Sequence, residues 1–327
     1  MSDSQLYVKG DNKITKPALY TGLVILLAIL PLFVKSPYYL NVCILTFTYI
    51  VAAVSLRVIL ISGQTSLAHA AFMGIGAYTS AVLAKELGWT PWICIPLGAL
   101  VTTGIGILVA FIFSRVRALL FGMLTIFFGM GIIYVIQVFS KWTGGYAGIM
   151  GITPLFGISK VPYYYFFLGI TVVSLLALYR FEFCRIGKTL KTLDQSYLVA
   201  SSVGIDEVKT RVLAVGVGSF FVGLIGAAYA HYTLVLSPTS FGVLQSIYLV
   251  MYVLIGGLGS FAGPIIGTAV LVIIPEAFRG LKGYSPFIFA GLLLIINFLM
   301  PQGLVGLPQL IRSRLEHRKG KGGTHAP

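Results

Sequence analysis

Ten stretches of this chain are nearly free of charge and close to bilayer length. They run at 18–34, 38–61, 66–84, 91–113, 118–140, 161–179, 211–234, 242–257, 264–278 and 284–301. A helix needs about 20 mostly apolar residues to cross the hydrocarbon core, fewer where protein covers part of it. Only 10% of the 327 residues are Asp, Glu, Lys or Arg, and 57% are hydrophobic, whereas soluble domains carry about 25% charged residues. The chain therefore reads as an all-α integral membrane protein with about ten transmembrane helices. The eighth and ninth stretches are short, which suits tilted, broken or re-entrant helices.

The basic residues set an expected orientation. With the N-terminus inside and the spans alternating, 16 Lys and Arg fall inside and 6 outside, and Arg57 lies near a helix end. The inside set includes Arg115, Arg117, Arg180, Arg185, Lys188, Lys191, Lys209 and Arg211. An excess of Lys and Arg in cytoplasmic loops orients membrane proteins, so both termini are expected in the cytoplasm. Residues 1–17 read as a cytoplasmic tail, 18–301 as the polytopic domain with a cytoplasmic loop at 180–210, and 302–327 as a basic tail. The same arrangement accounts for the net charge of +14 by attraction to membrane lipid headgroups, with no nucleic acid needed.

Reactive constellations are missing from the pattern. Cys43, Cys94 and Cys184 are far apart, and no two His residues stand at metal-ligand spacing, so no metal is expected. Gly187-Lys188-Thr189 imitates the end of a phosphate loop, but position 182 is Glu where that loop needs Gly. The ionisable residues near span ends, Arg57 and Glu276, suit snorkelling or an ion pair. The 38 glycines suit close helix packing, except the run 256–263, which reads as a turn between the eighth and ninth spans.

Residues 184–211 interrupt this apolar chain with eight charged residues in 28. Leu190, Leu193, Tyr197, Ala200 and Gly204 recur at three- and four-residue steps, which makes one face of a short amphipathic helix. Gly204 would stop it. Such a helix either lies among lipid headgroups or docks in a groove on a partner.

Four blocks now carry a resemblance. GKTLKTLDQSYLVASSVGI (187–205), SGQTSLAHAAFMGIGAYT (62–79), WTGGYAGIMGI (142–152) and VLIGGLGSFAGPIIGTA (253–269) are together similar to LivM-like permeases. These are membrane subunits of branched-chain amino acid-type ABC importers. The similarity covers nearly all of residues 20–310. It implies a type II-like ABC importer permease in a bacterial or archaeal cytoplasmic (inner) membrane. It implies a homologous second permease, two ATP-binding subunits and a periplasmic or extracellular solute-binding protein as partners. ATP would sit on the partner subunits, with no cofactor on this chain, which would be a transporter subunit and not an enzyme.

The resemblance also assigns roles. ATPase coupling would fall to Gly187, Leu190, Lys191, Asp194, Gln195, Tyr197, Ala200, Gly204 and Ile205. Where the family shows Arg-Asp-Asn-Glu, this chain has Asp194-Gln195-Ser196-Tyr197, and Ser201 stands where the family has Glu. The solute path would pass Gln64, Thr65, Ser66, His69, Phe72, Gly74 and Tyr78, together with Thr143, Gly144 and Gly145. Branched-chain or hydrophobic amino acids come first as solute, then urea, short amides and small or aromatic carboxylates. An ATP-independent channel or secondary transporter is the alternative class.

Overall fold

A computed structural model describes residues 15–33, 36–113, 116, 118–157, 159–195, 197–202, 204–277 and 291. The tenth apolar stretch, 284–301, and the tail 302–327 lie outside these apart from Gly291. The helices are α1 (Thr15–Phe33), α2 (Pro37–Leu60), α3 (His69–Glu86), α4 (Pro91–Phe113), α5 (Ala118–Val138), α6 (Ser140–Thr143), α7 (Lys160–Phe183), α8 (Arg185–Gln195), α9 (Tyr197–Ser202), α10 (Glu207–Thr233), α11 (Val243–Gly256) and α12 (Ala262–Ala277). Two short strands, β1 (Ile149–Met150) and β2 (Val235–Leu236), pair antiparallel with Ile149 opposite Leu236.

Each of the first nine apolar stretches falls on one helix. Among the described residues, six segments are long and apolar enough to cross a membrane: Pro37–Leu60, Pro91–Phe113, Leu120–Val138, Lys160–Phe183, Glu207–Thr233 and Pro238–Gly256. Two boundaries differ from expectation. Thr15, Lys16 and Pro17, expected in the tail, are helical in α1. α3 starts at His69 and not at 66, because hydroxyls on other helices satisfy the backbone there. Leu67 N–H donates to Thr125 Oγ1 at 3.0 Å, and Ala70 N–H donates to Ser246 Oγ at 3.0 Å. The helix expected over 187–204 is described as α8 and α9, with Ser196 between them outside the described residues.

Packing centres on α2, α3, α4 and α10. Water cannot drive helices together inside a bilayer, so close backbone approach must do so. Glycine supplies it here. A Cβ on Gly76 would lie 2.3 Å from Gly223 O, one on Gly226 would lie 2.2 Å from Met73 O, and one on Gly106 would lie 2.3 Å from Ser219 Oγ. Several buried hydroxyls are satisfied within their own helices, as in Thr48 to Ile44 O and Thr102 to Gly98 O. α5 is the contrast: Leu120, Met123, Phe127, Met130 and Tyr134 form an exposed apolar stripe along it.

The helices sort into two ends. One holds Arg57, Glu182, Lys191 and Leu258, joined by a hydrogen bond and ion pairs, and the Gln64–Val116 hydrogen bond. The other holds the β1–β2 pair, where Lys85 Nζ donates to Met150 O at 3.1 Å and Tyr78 donates to Leu236 O at 3.3 Å.

Candidate functional site

The polar stretch begins where α7 ends. Cys184 caps α7 in an extended conformation, and α8 then doubles back across its last turn. The approach is so close that a Cβ on Gly187 would lie 2.0 Å from Glu182 O. On the same face Leu190 is fully buried and Leu193 is 3% exposed. Leu190 joins a cluster with Ile50, Val54, Val58, Ile61, Leu178 and Ala214. Lys188, Asp194 and Gln195 are exposed. α8 is therefore amphipathic, with its apolar face already occupied by α2, α7 and α10.

The second half of the stretch is held locally. α9 places Ala200 in a fully buried position; Tyr197 contributes its backbone to α9, and its side chain lies outside the described residues. Gly204 follows in a left-handed conformation with φ +79°, and Ile205 N–H donates to Ala200 O at 3.1 Å. That is the 6→1 bond of a Schellman ending, which favours Gly in this position. Asp206 then starts α10, its carboxylate accepting from Lys209 N–H at 3.1 Å. The Lys209 backbone N–H and ammonium hold this carboxyl below its usual range.

One ion-pair cluster escaped the sequence reading. Glu182, in the last turn of α7, is the only buried carboxylate among the described residues. Arg57 of α2 pairs with its Oε2 through Nη1. Lys191 Nζ of α8 lies 2.8 Å from its Oε1. The second Arg57 nitrogen, Nη2, donates to Leu258 O at 2.9 Å, in the turn between α11 and α12. Of the two roles expected for Arg57, snorkelling or an ion pair, it takes the ion pair, and its partner is a residue that no motif flagged. Lys191 Nζ also stands 5.0 Å from the Phe183 ring centroid, a cation–π distance.

The candidate path residues form two groups. Gln64, Thr65 and Ser66 lie in the non-helical segment before α3, beside α5, with Thr65 O 3.3 Å from where a Gly122 Cβ would stand. Gln64 Nε2 donates to Val116 O at 3.4 Å. His69 opens α3 and is fully buried. Its Nε2 lies 2.9 Å from Ser55 Oγ, a hydroxyl that also reaches Ala52 O at 2.9 Å. Among the described residues, Gln64 Oε1, Ser66 Oγ and His69 Nδ1 are buried without a hydrogen-bond partner. Phe72 is buried against Phe128, and a Cβ on Gly74 would meet Phe241 at 2.9 Å.

Thr143, Gly144 and Gly145 lie past the far end of α5. The Thr143 hydroxyl donates to Phe139 O at 2.8 Å, and both glycines adopt positive φ in a tight turn. Tyr78 reaches the same end, because its Leu236 acceptor pairs with Ile149. The structure thus brings Tyr78 and the 143–145 turn to one end and leaves Gln64–Ser66 toward the other, with α3 between them.

A bundle of apolar helices with a polar break before α3 and an amphipathic helix pinned across one end defines a multi-pass membrane permease. The family of the permease component of the branched-chain amino acid transport system matches residues 38–300, and the chain belongs to that family. It is an ABC-transporter permease and not an enzyme. It is 26% identical to the high-affinity branched-chain amino acid transport system permease protein LivM of Salmonella typhimurium, over 95% of this chain and 80% of that protein. The same figures hold for LivM of Escherichia coli K12. The permease protein LivH of Escherichia coli K12 is 24% identical over 43% of this chain and 46% of its own length. No solved structure matches.

Proposed function

We propose that this chain forms one half of the membrane translocator of an ATP-driven importer, with branched-chain or other hydrophobic amino acids as solute. A homologous second permease completes the path, two ATPase subunits hydrolyse ATP, and a solute-binding protein delivers cargo from outside. The protein resides in a bacterial inner membrane with ten spans, and the end bearing α8 faces the cytoplasm. Its polytopic domain runs over 18–301, between the cytoplasmic tails 1–17 and 302–327. α8 and α9 dock on an ATPase subunit and carry its movement into the bundle.

The observation that carries this reading is the two-sidedness of α8. Its inner face is fixed by Gly187, Leu190 and Leu193, while Lys188 and Gln195 are exposed and suit a partner groove. Three of the ten buried polar atoms without a hydrogen-bond partner among the described residues, at Gln64, Ser66 and His69, cluster around the start of α3 and support the path. Buried polar groups are nearly always paired, so groups left open suit a transient partner. LivM and LivH name two permease proteins of branched-chain amino acid transport, which supports a paired translocator and this solute class.

Affinity purification of the tagged chain from its native membranes in mild detergent tests the reading. Mass spectrometry should recover a second polytopic chain and ATP-binding subunits. A chain that purifies alone and transports in liposomes without ATP would overturn it.

A further inference from the structure

We propose that Glu182 is a positioning residue that ties α8 to α2 and to the α11–α12 turn. Displacement of α8 then passes inward along Lys191, Glu182, Arg57 and the Leu258 carbonyl. This rests on the reading that α8 docks on an ATPase.

The geometry is that of a junction. Each oxygen of one buried carboxylate meets a cation from a different helix: Arg57 from α2 and Lys191 from α8. Arg57 Nη2 donates to the carbonyl of Leu258. Arg57 and Glu182 side chains are 2% and 1% exposed, whereas Lys191 is 31% exposed. The chain of contacts thus runs from the edge of the bundle to its interior. Apolar contacts around Leu190 are non-directional and let a helix slide. The charge-assisted hydrogen bonds of Arg57 are directional and short-ranged, and the Lys191–Glu182 ion pair at 2.8 Å must lengthen if α8 shifts along α7.

The far end of the relay is built to move as a piece. Leu258 lies between Gly256-Gly257 and Gly263, where a Cβ on Gly256 would fall 2.0 Å from Gly263 O. A tug on the Leu258 carbonyl therefore acts on α11 and α12 together. α11 in turn supplies Ser246, the acceptor for Ala70 N–H at the start of α3. The relay ends next to the polar break that the proposed path uses.

The test uses the complex purified from native membranes, with Cys43, Cys94 and Cys184 replaced by Ala and a reporter introduced as Gly259→Cys. Gly259 is exposed and has open space around it. Alkylation by a membrane-impermeant maleimide is timed with and without ATP plus vanadate. With Lys191 present, nucleotide should change the labelling rate about fivefold or more. Glu182→Gln and Lys191→Met should abolish the difference, and Lys191→Arg should restore it. Lys191→Met leaves the buried Arg57–Glu182 pair intact, which guards against a variant that merely misfolds. A nucleotide-dependent change that persists in Lys191→Met would overturn the proposal, as would a turn that does not respond even with Lys191 present. Failure of the docking reading looks different: the unsubstituted chain would purify without ATPase subunits, and the relay would fall with its premise.

Discussion

Gly187 and Gly204 stand in the same polar stretch, and each is a glycine for a different reason. Gly187 has ordinary helical backbone and no space, because the last turn of α7 lies where its side chain would be. Gly204 has open space on every side and a backbone at φ +79° that other residues resist. The half of the stretch around Gly187 is held by tertiary contacts: buried leucines, a backbone crossing and an ion pair. The half around Gly204 is held mainly by its own chain through a Schellman ending and an N-cap, with Ala200 as its buried foothold. Only the first half is wired into the bundle, so force applied at α8 and force applied at α9 have different destinations.

The largest expected effect removes the wiring. Arg57→Ala leaves Glu182 buried with only Lys191 at the surface side, and breaking a buried pair by deleting one partner costs about 3–5 kcal/mol. Thermal unfolding of the purified chain in detergent should show this as a clear drop in midpoint. Lys191→Ala removes the exposed partner and should cost no more than about 1 kcal/mol. Equal midpoints for the two variants would mean that the buried pair is not the anchor of this end.

The two glycines are separated by a pair of matched substitutions. Gly187→Ala forces a Cβ into Glu182 O, and overpacking of this kind costs about 1–3 kcal/mol. It should also push α8 off α7 and weaken the Lys191–Glu182 contact. Gly204→Ala meets no atom and bears only the left-handed backbone penalty, about 1–2 kcal/mol. Asn is the discriminating residue, because it tolerates left-handed φ. Gly204→Asn should unfold close to the unsubstituted chain, while Gly187→Asn should be worse than Gly187→Ala. The opposite order would show that the two glycines had been assigned each other's roles.

Much of the helical layout was legible because length and charge alone identify a membrane span. Nine apolar stretches fall on nine helices for that reason, and Gly204 was readable as a helix stop because its role is local. What the pattern concealed is non-local. Glu182 sits in Phe181-Glu182-Phe183 at a helix end, where an acid looks solvated. Its partner Arg57 is 125 positions away in the chain, and no periodicity connects them. The late start of α3 was hidden in the same way, since Thr125 and Ser246 supply the hydroxyls that satisfy its first backbone groups. Gly187 was visible as a family residue, but the α7 crossing that demands it was not. The candidate path was legible as a polar segment in an apolar chain, while its division between two ends of α3 needed the fold.

The smallest effect belongs to the local half, and its pH dependence has a definite sign. The Asp206 carboxyl is held below its usual range first by the Lys209 N–H and then by the Lys209 side chain, whose Nζ lies 3.2 Å away. A carboxylate with a depressed folded-state pKa stabilises the fold fully above its unfolded value, about 3.9. That contribution is lost as pH falls through the lower folded-state value. Asp206→Asn keeps a capping oxygen and removes the charge. The midpoint difference between the unsubstituted chain and this variant should therefore be small at pH 7 and narrow toward pH 3. Salt should narrow it as well, because both charged groups are exposed. Asp206→Ala removes cap and charge together, and its deficit should persist in part at low pH, where a protonated Asp still offers an acceptor to Lys209 N–H. If the Asp206→Asn variant instead shows a constant deficit across this range, the charge contributes nothing at this helix start and the local half is held by its hydrogen bonds alone.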